Sequence, residues 1–225
     1  MDNGKSVLMA CPTASAKDYS LKTYLSAYKA MEYENKSLFI VDNTADGGDY
    51  FETILEAGEN LPHFDAVHIE PRGDLYDTID WSWQYILERG RGFDYIFSLE
   101  ADIIGPPKTI QTLVDIAERN NACMVRHAYP FRGGQGYLCS LGCILMEDGL
   151  IEAIWDDTDK RMDREMVGIM HEERRFMHRA LESGKPVMDV YNYLDMEHMV
   201  DADTYAEKLF RHGFNIQLDG IGLDN

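Results

Sequence analysis

Two acidic residues, separated by one residue, end an apolar run and are the best candidates in the sequence for binding a cation. The run covers Tyr95 to Leu99. Glu100 and Asp102 follow it with a single residue between them. Alternate residues of a strand project to the same side, so the two carboxylates are expected to face one point. Held a few ångströms apart, they repel by about 4 kcal/mol at an effective dielectric of about 20. A positive charge beside them is therefore expected unless one acid is protonated.

The chemistry of this acid pair favours a hard divalent cation. Carboxylate oxygens without a neighbouring cysteine or histidine suit Mg²⁺ or Mn²⁺ better than zinc. Such ions often complete their coordination with phosphate oxygens, which indicates a diphosphate ligand. The alternative, that Glu100 and Asp102 are solvated loop acids, stays open on these residues alone.

Other polar residues also follow apolar runs that have the pattern of strands. Thr13 follows the first run, Asp42 and Asn43 end the second, and Arg72 follows the third. In open α/β sheets, ligands bind outside the carboxyl ends of the strands, where the strand order reverses. These residues are therefore predicted to share one site with the acid pair.

The elements that must position these residues alternate along the chain. Strands are predicted at residues 6–10, 37–41, 66–70, around 95–99 and 122–127, with helices at 21–31, 50–57, 75–89 and about 106–120. This alternation predicts an α/β fold with a mostly parallel central sheet flanked by helices. Beyond a glycine-rich loop at 132–137, a helix at 171–184, a last strand within 186–194 and a helix at 204–211 are predicted.

Composition limits the partners of the chain. Its 225 residues carry 40 acidic and 21 basic side chains, a formal charge of −19, without a basic run. Binding to nucleic acid or to an anionic membrane is therefore not expected. The four cysteines have no metal-site spacing and are interpreted as buried free thiols of a reducing compartment. With no candidate signal peptide or membrane span, we expect a soluble, cytoplasmic protein.

Five segments, in order, resemble the nucleotide-sugar-dependent glycosyltransferases of the GT-A fold, in particular their family-2-like members. They are SVLMACPT, SLFIVDNTADGG, FDYIFSLEADIIGPPKTI, HEERRFMHRALESGKPV and YNYLDMEHMV, which together span about residues 6–200. The third resembles the strand that carries the family's Asp-x-Asp motif, here Glu-Ala-Asp. In the fourth, the spacing from Glu172 through Phe176 and Arg179 to Gly184 fits the block that supplies the catalytic base.

The resemblance implies roles for individual residues. Asp102, with Glu100 and His198, would bind Mn²⁺ or Mg²⁺, and Glu100 could instead contact the ribose. Asp42 would hold the nucleoside, with further donor contacts predicted from Thr13, Asn43 and Arg72. Glu173, with Glu172 beside it, would take the proton of the acceptor hydroxyl, and attack in line would invert the anomeric centre. Asp156 and Asp157 are competing candidates for the base.

Taken together, the sequence predicts a metal-dependent, non-processive glycosyltransferase with a UDP- or GDP-sugar donor and an unidentified hydroxyl acceptor. The processive Gln-x-x-Arg-Trp motif is missing. A single catalytic domain is expected at 1–200, with a donor half at about 1–105 and an acceptor half at about 106–200, followed by a helical extension at 201–225. The alternatives are a sugar-phosphate nucleotidyltransferase and a non-catalytic sugar-nucleotide or glycan-binding protein of the same fold.

Overall fold

The computed structural model describes residues 4–45, 48–130, 137–148, 150 and 171–199. The strands are β1 (Val7–Thr13), β2 (Lys36–Asp42), β3 (Phe64–His68), β4 (Tyr95–Leu99), β5 (Ile103–Ile104), β6 (Met124–His127), β7 (Tyr129–Pro130), β8 (Tyr137–Leu138), β9 (Cys143–Glu147), β10 (Val187–Val190) and β11 (Glu197–His198). The helices are α1 (Asp18–Ala30), α2 (Gly48–Gly58), α3 (Leu75–Gly90), α4 (Thr109–Asn120) and α5 (His171–Glu182), and a short 3₁₀ turn at Ser15–Lys17 follows β1.

Seven strands form one sheet in the order β3-β2-β1-β4-β9-β6-β10. All of its pairings are parallel except those of β9, which runs antiparallel to β4 and β6. The central strands are continuous apolar runs because both faces of the sheet are covered. The mostly parallel sheet flanked by helices is confirmed.

The helices divide between the two faces of this sheet, and each face has its own apolar core. One core contains side chains of α1, α2 and α4, and the other contains side chains of α3 and α5. The connections that leave β1 and β3 therefore pass over opposite faces. The strand order consequently reverses between β1 and β4, and the carboxyl ends of these two neighbours open a crevice at that edge.

The second half of the chain departs from the prediction in its details. The last strand ends at Val190 instead of continuing to Leu194, because the chain bends there and Asn192 adopts a left-handed φ of 59°. The antiparallel strand β9 and two small sheets, β5 with β11 and β7 with β8, were not predicted. The predicted helix at 204–211 lies outside the described residues, and the division into donor and acceptor halves stays a prediction.

Three of the four cysteines are buried and Cys139 is partly exposed, and all four are free. Within the described ranges, none of the helices is both long enough and apolar enough to cross a membrane.

Candidate active site

A cleft of about 350 Å³ opens at the carboxyl edge of the sheet, where the strand order reverses. The ends of β1, β2 and β4 supply Thr13, Asn43 and Glu100 to its walls. One side of α3 supplies an apolar wall that includes Leu75, Ile79 and Trp83. The cleft thus has polar strand ends on one side and an apolar helix on the other, an arrangement suited to a ligand with a charged part and a flat apolar part.

The two carboxylates after β4 converge on a lysine ammonium. Lys17 Nζ lies 3.0 Å from Asp102 Oδ1 and 3.2 Å from Glu100 Oε2. Asp102 is fully buried, whereas the Lys17 and Glu100 side chains are 25% and 27% exposed and line the cleft. Burial disfavours the charged form of Lys17, but Glu100 and Asp102 outweigh this effect and raise its pKa. The positive charge that the sequence predicted beside the acids is, in this structure, the side chain of Lys17.

The second oxygen of Asp102 faces an imidazole. His198 Nε2 lies 3.5 Å from Asp102 Oδ2, and Tyr19 donates its hydroxyl proton to the same oxygen over 3.2 Å. The pairing of β11 with β5 places His198 opposite Ile103 and therefore next to Asp102. His198 Nδ1 lies 2.9 Å from the carbonyl of Pro130, which can only accept, so Nδ1 carries a proton. In the neutral ring, Nε2 thus directs its lone pair at a carboxylate.

This arrangement fits a divalent cation. A lone pair and a carboxylate oxygen that face each other need a proton or a metal cation between them, and metal-binding histidines typically donate their other nitrogen to a backbone carbonyl. Mg²⁺ and similar ions use one or two protein ligands and complete their shell with water and substrate phosphates. Among the described residues, no group of three or more His, Cys, Asp or Glu could hold a metal ion by itself. Asp102 and His198 are therefore the two described residues that could hold such a cation, with a phosphate ligand completing its shell.

Asp42, at the end of β2, is also fully buried, and both of its oxygens have protein partners. Thr44 donates its backbone N–H over 3.0 Å and its hydroxyl over 2.6 Å to Oδ1. Oδ2 lies 2.8 Å from His68 Nδ1. Burial lowers the pKa of His68, but the hydrogen bonds to Asp42 and Glu70 outweigh it, so that the pKa is raised overall. The predicted contact of Asp42 with the nucleoside stays a prediction, since in this structure the carboxylate bonds its own loop and the end of β3.

Three further predicted donor contacts lie near the same edge, and two of them face the cleft. Thr13 and Asn43 line it, and the Asn43 amide donates to Ser82 on α3. Arg72 is exposed, and its guanidinium stacks on Trp81 at 3.6 Å from the ring centroid. Arg72 is therefore held at the start of α3, outside the residues that line the cleft.

The helix α5 carries the predicted base candidates Glu172 and Glu173 in its first turn. Phe176, one turn further, is buried against the cleft residue Trp83 with ring centroids 5.0 Å apart. The residues after α5 pair with the amino edge of the sheet, where the N–H of Cys123 bonds the carbonyl of Pro186. The first turn of α5 therefore points towards the carboxyl edge, where the cleft lies. The side chains of both glutamates, and Asp156 and Asp157 entirely, lie outside the described residues.

Three residues that contact the buried acids were not predicted from the sequence, namely Lys17, Tyr19 and His68. Lys17 and Tyr19 lie more than 80 positions before the carboxylate that they contact, so no local spacing could indicate the contact. His68 had a usable signal, because adjacent parallel strands place it level with Asp42. Trp83 is buried and also forms part of the cleft wall.

No model of a known protein family matches the chain, and no curated protein matches its sequence. Solved structures do match. S. aureus TarS 1-349 matches with a TM-score of 0.63 at 11% identity, over 92% of this chain and 64% of that one. Its complex with UDP-GlcNAc gives 0.64 at 10% identity, over 89% and 60%.

The structure of a second glycosyltransferase is similar to this chain to the same degree. The mannosyltransferase PcManGT from Pyrobaculum calidifontis, in complex with GDP-Man and Mn²⁺, matches with a TM-score of 0.63 at 14% identity, over 92% of this chain and 61% of that one. The chain thus spans less than two thirds of the length of these proteins. At such identities the likeness defines the fold alone, and this chain has the GT-A fold of the nucleotide-sugar-dependent glycosyltransferases.

Proposed function

We propose that the protein transfers a sugar from a nucleoside-diphosphate sugar to a hydroxyl acceptor. The observation that carries this proposal is the cleft at the strand-order reversal, where a buried carboxylate and an imidazole face each other beside polar strand ends. Neighbours of the same fold bind UDP-GlcNAc or GDP-Man, which supports a donor of this class. The apolar wall of α3 would contact the nucleoside, and the end of β4 would lie beside the diphosphate.

Asp102 and His198 would hold a divalent cation, Mn²⁺ or Mg²⁺, at the diphosphate. Bound there, the cation supplies positive charge that offsets the negative charge of the departing nucleoside diphosphate. The Mn²⁺ in the PcManGT complex supports this assignment. Glu100, which lines the cleft with Thr13 and Asn43, is placed to contact the donor.

Asp42 would act on the donor indirectly. Its carboxylate orients His68 and Thr44, and the Thr44 hydroxyl also accepts the backbone N–H of Ser15 over 2.8 Å. Ser15 begins the turn that carries Lys17 into the cleft. These hydrogen bonds connect Asp42, through Thr44, to the turn after β1 that lines the cleft.

Nucleotide binding is the most direct test of the donor site. Calorimetric titrations with UDP, GDP, UDP-GlcNAc and GDP-mannose, each with and without Mn²⁺, should show binding of one base class that Mn²⁺ strengthens. At about 100 times its dissociation constant, the ligand should stabilise the fold by about 2.7 kcal/mol in thermal unfolding. Absence of binding by any of these nucleotides in the presence of Mn²⁺ would contradict the proposal. Binding without any donor turnover, across a panel of hydroxyl acceptors, would instead support a non-catalytic binding protein.

The catalytic base is tested by a matched pair of variants. We propose that Glu173, in the first turn of α5, removes the proton of the acceptor hydroxyl, and that the attack inverts the anomeric centre. Glu173→Gln should lower turnover by about 10²- to 10⁴-fold without changing nucleotide binding, whereas Glu172→Gln should stay near wild type. The reverse result would transfer the role to Glu172, and normal rates in both variants would remove this helix from the chemistry.

A further inference from the structure

Lys17 occupies the point on which both acids of the β4 end converge. Its Nζ atom lies between Asp102 Oδ1 and Glu100 Oε2, at 3.0 Å and 3.2 Å. A divalent ion that coordinated both carboxylates would have to replace the ammonium there. The other oxygen of Asp102 lies 3.5 Å from His198 Nε2. Lys17 and a cation held by His198 would therefore compete for one buried carboxylate.

The net charge of this cluster determines how the competition would affect the binding of a diphosphate. With Glu100 and Asp102 ionised, the pair and the Lys17 ammonium together carry a formal charge of −1, which repels an anionic ligand. A divalent cation at Asp102 reverses the sign of the cluster. It also repels the ammonium beside it, so that Lys17 loses part of the attraction that holds it to Asp102. The two acids and the cation are then together neutral, and the freed ammonium adds a positive charge to the cleft.

The released lysine can reach the ligand without a change of the backbone. Lys17 ends the 3₁₀ turn Ser15–Lys17 and already lines the cleft, with its side chain 25% exposed. Lysine carries a point charge on a flexible four-carbon chain, which suits it to exchange between a carboxylate and a phosphate. Its small neighbours Ala14 and Ala16, which also line the cleft, leave the ammonium close to the space that a donor would fill.

We propose that Lys17 is an exchangeable counter-ion: a divalent cation displaces it from Asp102, and the freed ammonium then binds the diphosphate of the donor. This inference rests on the proposed function for the identity of the ligand, but its first half concerns only the cation and this protein. It predicts opposite effects of removing Lys17 on the two ligands. A lysine that merely supports the fold would weaken both.

The test compares the wild type with Lys17→Met in two titrations. Mn²⁺ binding without nucleotide, followed by the electron paramagnetic resonance signal of free Mn²⁺, should be at least about fivefold tighter in the variant, since the competing cation is gone. Binding of UDP or GDP at saturating Mn²⁺, followed by calorimetry, should be at least about fivefold weaker, since a phosphate contact is lost. Lys17→Gln, which keeps a polar chain end, provides a second variant if Lys17→Met does not fold.

Two controls separate this exchange from general electrostatics. Lys17→Arg keeps the charge and should bind Mn²⁺ as the wild type does. Lys185→Met removes a lysine that pairs with Glu147 at 2.6 Å on the opposite edge of the sheet, and should change neither titration. Unchanged or weaker Mn²⁺ binding in Lys17→Met, or in Lys17→Gln if Lys17→Met does not fold, would overturn the proposal, as would unchanged nucleotide binding in that variant. If no nucleotide binds the wild type, the proposed function fails, while the Mn²⁺ titration still decides whether Lys17 competes with the cation.

Discussion

Asp42 and Asp102 are both fully buried acids at or just after the carboxyl end of a central strand, yet their surroundings differ in kind. Asp42 accepts from Thr44, two positions along the same loop, and pairs with His68 on the adjacent strand. Asp102 is neutralised by Lys17, whose side chain reaches into the cleft from the end of another strand.

The difference concerns how easily a partner can leave. Hydrogen bonds from a residue's own loop form together with the loop and cannot be lost without deforming it. A lysine at the end of a flexible, partly exposed chain can leave and return. This difference supports the proposed roles, in which Asp42 positions the cleft wall and Asp102 binds a ligand.

Replacing each acid by its amide should separate Asp102 from Asp42 most clearly, and the quantity that shows it is the rate of turnover. Asp102→Asn removes the negative charge that would bind the cation, so the rate of nucleoside diphosphate release should fall by about 10²- to 10³-fold. Asp42→Asn should reduce the rate by less than about tenfold when assayed well below its melting temperature. Asp115 on α4 is a partly exposed acid, and Asp115→Asn serves as the control that should keep the wild-type rate. Equal losses in both amide variants would remove the distinction.

The contacts of Asp42 should also be measurable as folding stability. Asp42 Oδ1 accepts two hydrogen bonds from Thr44 and Oδ2 bonds His68, and an amide offers one oxygen for these three contacts. Asp42→Asn should therefore lower the free energy of unfolding by about 1–3 kcal/mol in urea titrations. Asp115→Asn again provides the baseline. Wild-type stability in Asp42→Asn would show that the buried carboxylate contributes nothing beyond its shape.

Many of the helices and strands that position these acids could be predicted, because the sequence patterns that indicate them are local. The helix predicted at 75–89 is observed at Leu75–Gly90, and the apolar run of β4 is a fully buried central strand. Periodicity and turn residues define such elements within a short window. The small sheet of β5 and β11 has two residues per strand, which is too short for a periodic signal, although it brings His198 to Asp102.

The acids of the site could be predicted from the sequence, but the residues that contact them could not. Glu100, Asp102 and Asp42 stand out because acids that end apolar runs are unusual. Lys17 is one of many lysines in the sequence, and only the parallel pairing of β1 with β4 brings its turn beside the end of β4. A contact that depends on the order of strands in the sheet and on the length of a side chain cannot be predicted from the spacing of residues in the sequence.

The Thr44 hydroxyl tests how firmly the Asp42 loop is connected to the cleft. It donates to Asp42 and accepts the N–H of Ser15, and so joins the loops after β1 and β2. Thr44→Val keeps the shape but neither bond, and should lower the free energy of unfolding by about 0.5–1.5 kcal/mol. Thr53→Val, on the exposed side of α2, should change it by less than about 0.5 kcal/mol. A Thr44 variant no less stable than this control would show that the two loops are held by other contacts.

The smallest expected effect is a pH dependence of stability from His68. Its pKa in the folded protein is raised above the ordinary value of 6.5, because hydrogen bonds to Asp42 and Glu70 outweigh the opposing effect of burial. The protonated ring therefore stabilises the fold fully below the unfolded pKa, and this contribution is lost as the pH rises through the folded pKa. Urea titrations should show a larger stability difference between the wild type and His68→Gln at about pH 5.5 than at about pH 8.5.

The Asp42→Asn background identifies the source of that pH dependence. Asp42 is the buried one of the two acids that face His68, at 2.8 Å from Nδ1, whereas Glu70 is largely exposed and lies 3.4 Å from Nε2. Replacing His68 in Asp42→Asn should therefore give a difference that varies little with pH. If the variation persists, Glu70 and not Asp42 holds the proton on His68. The structural role of Asp42 would then rest on its hydrogen bonds to Thr44 alone.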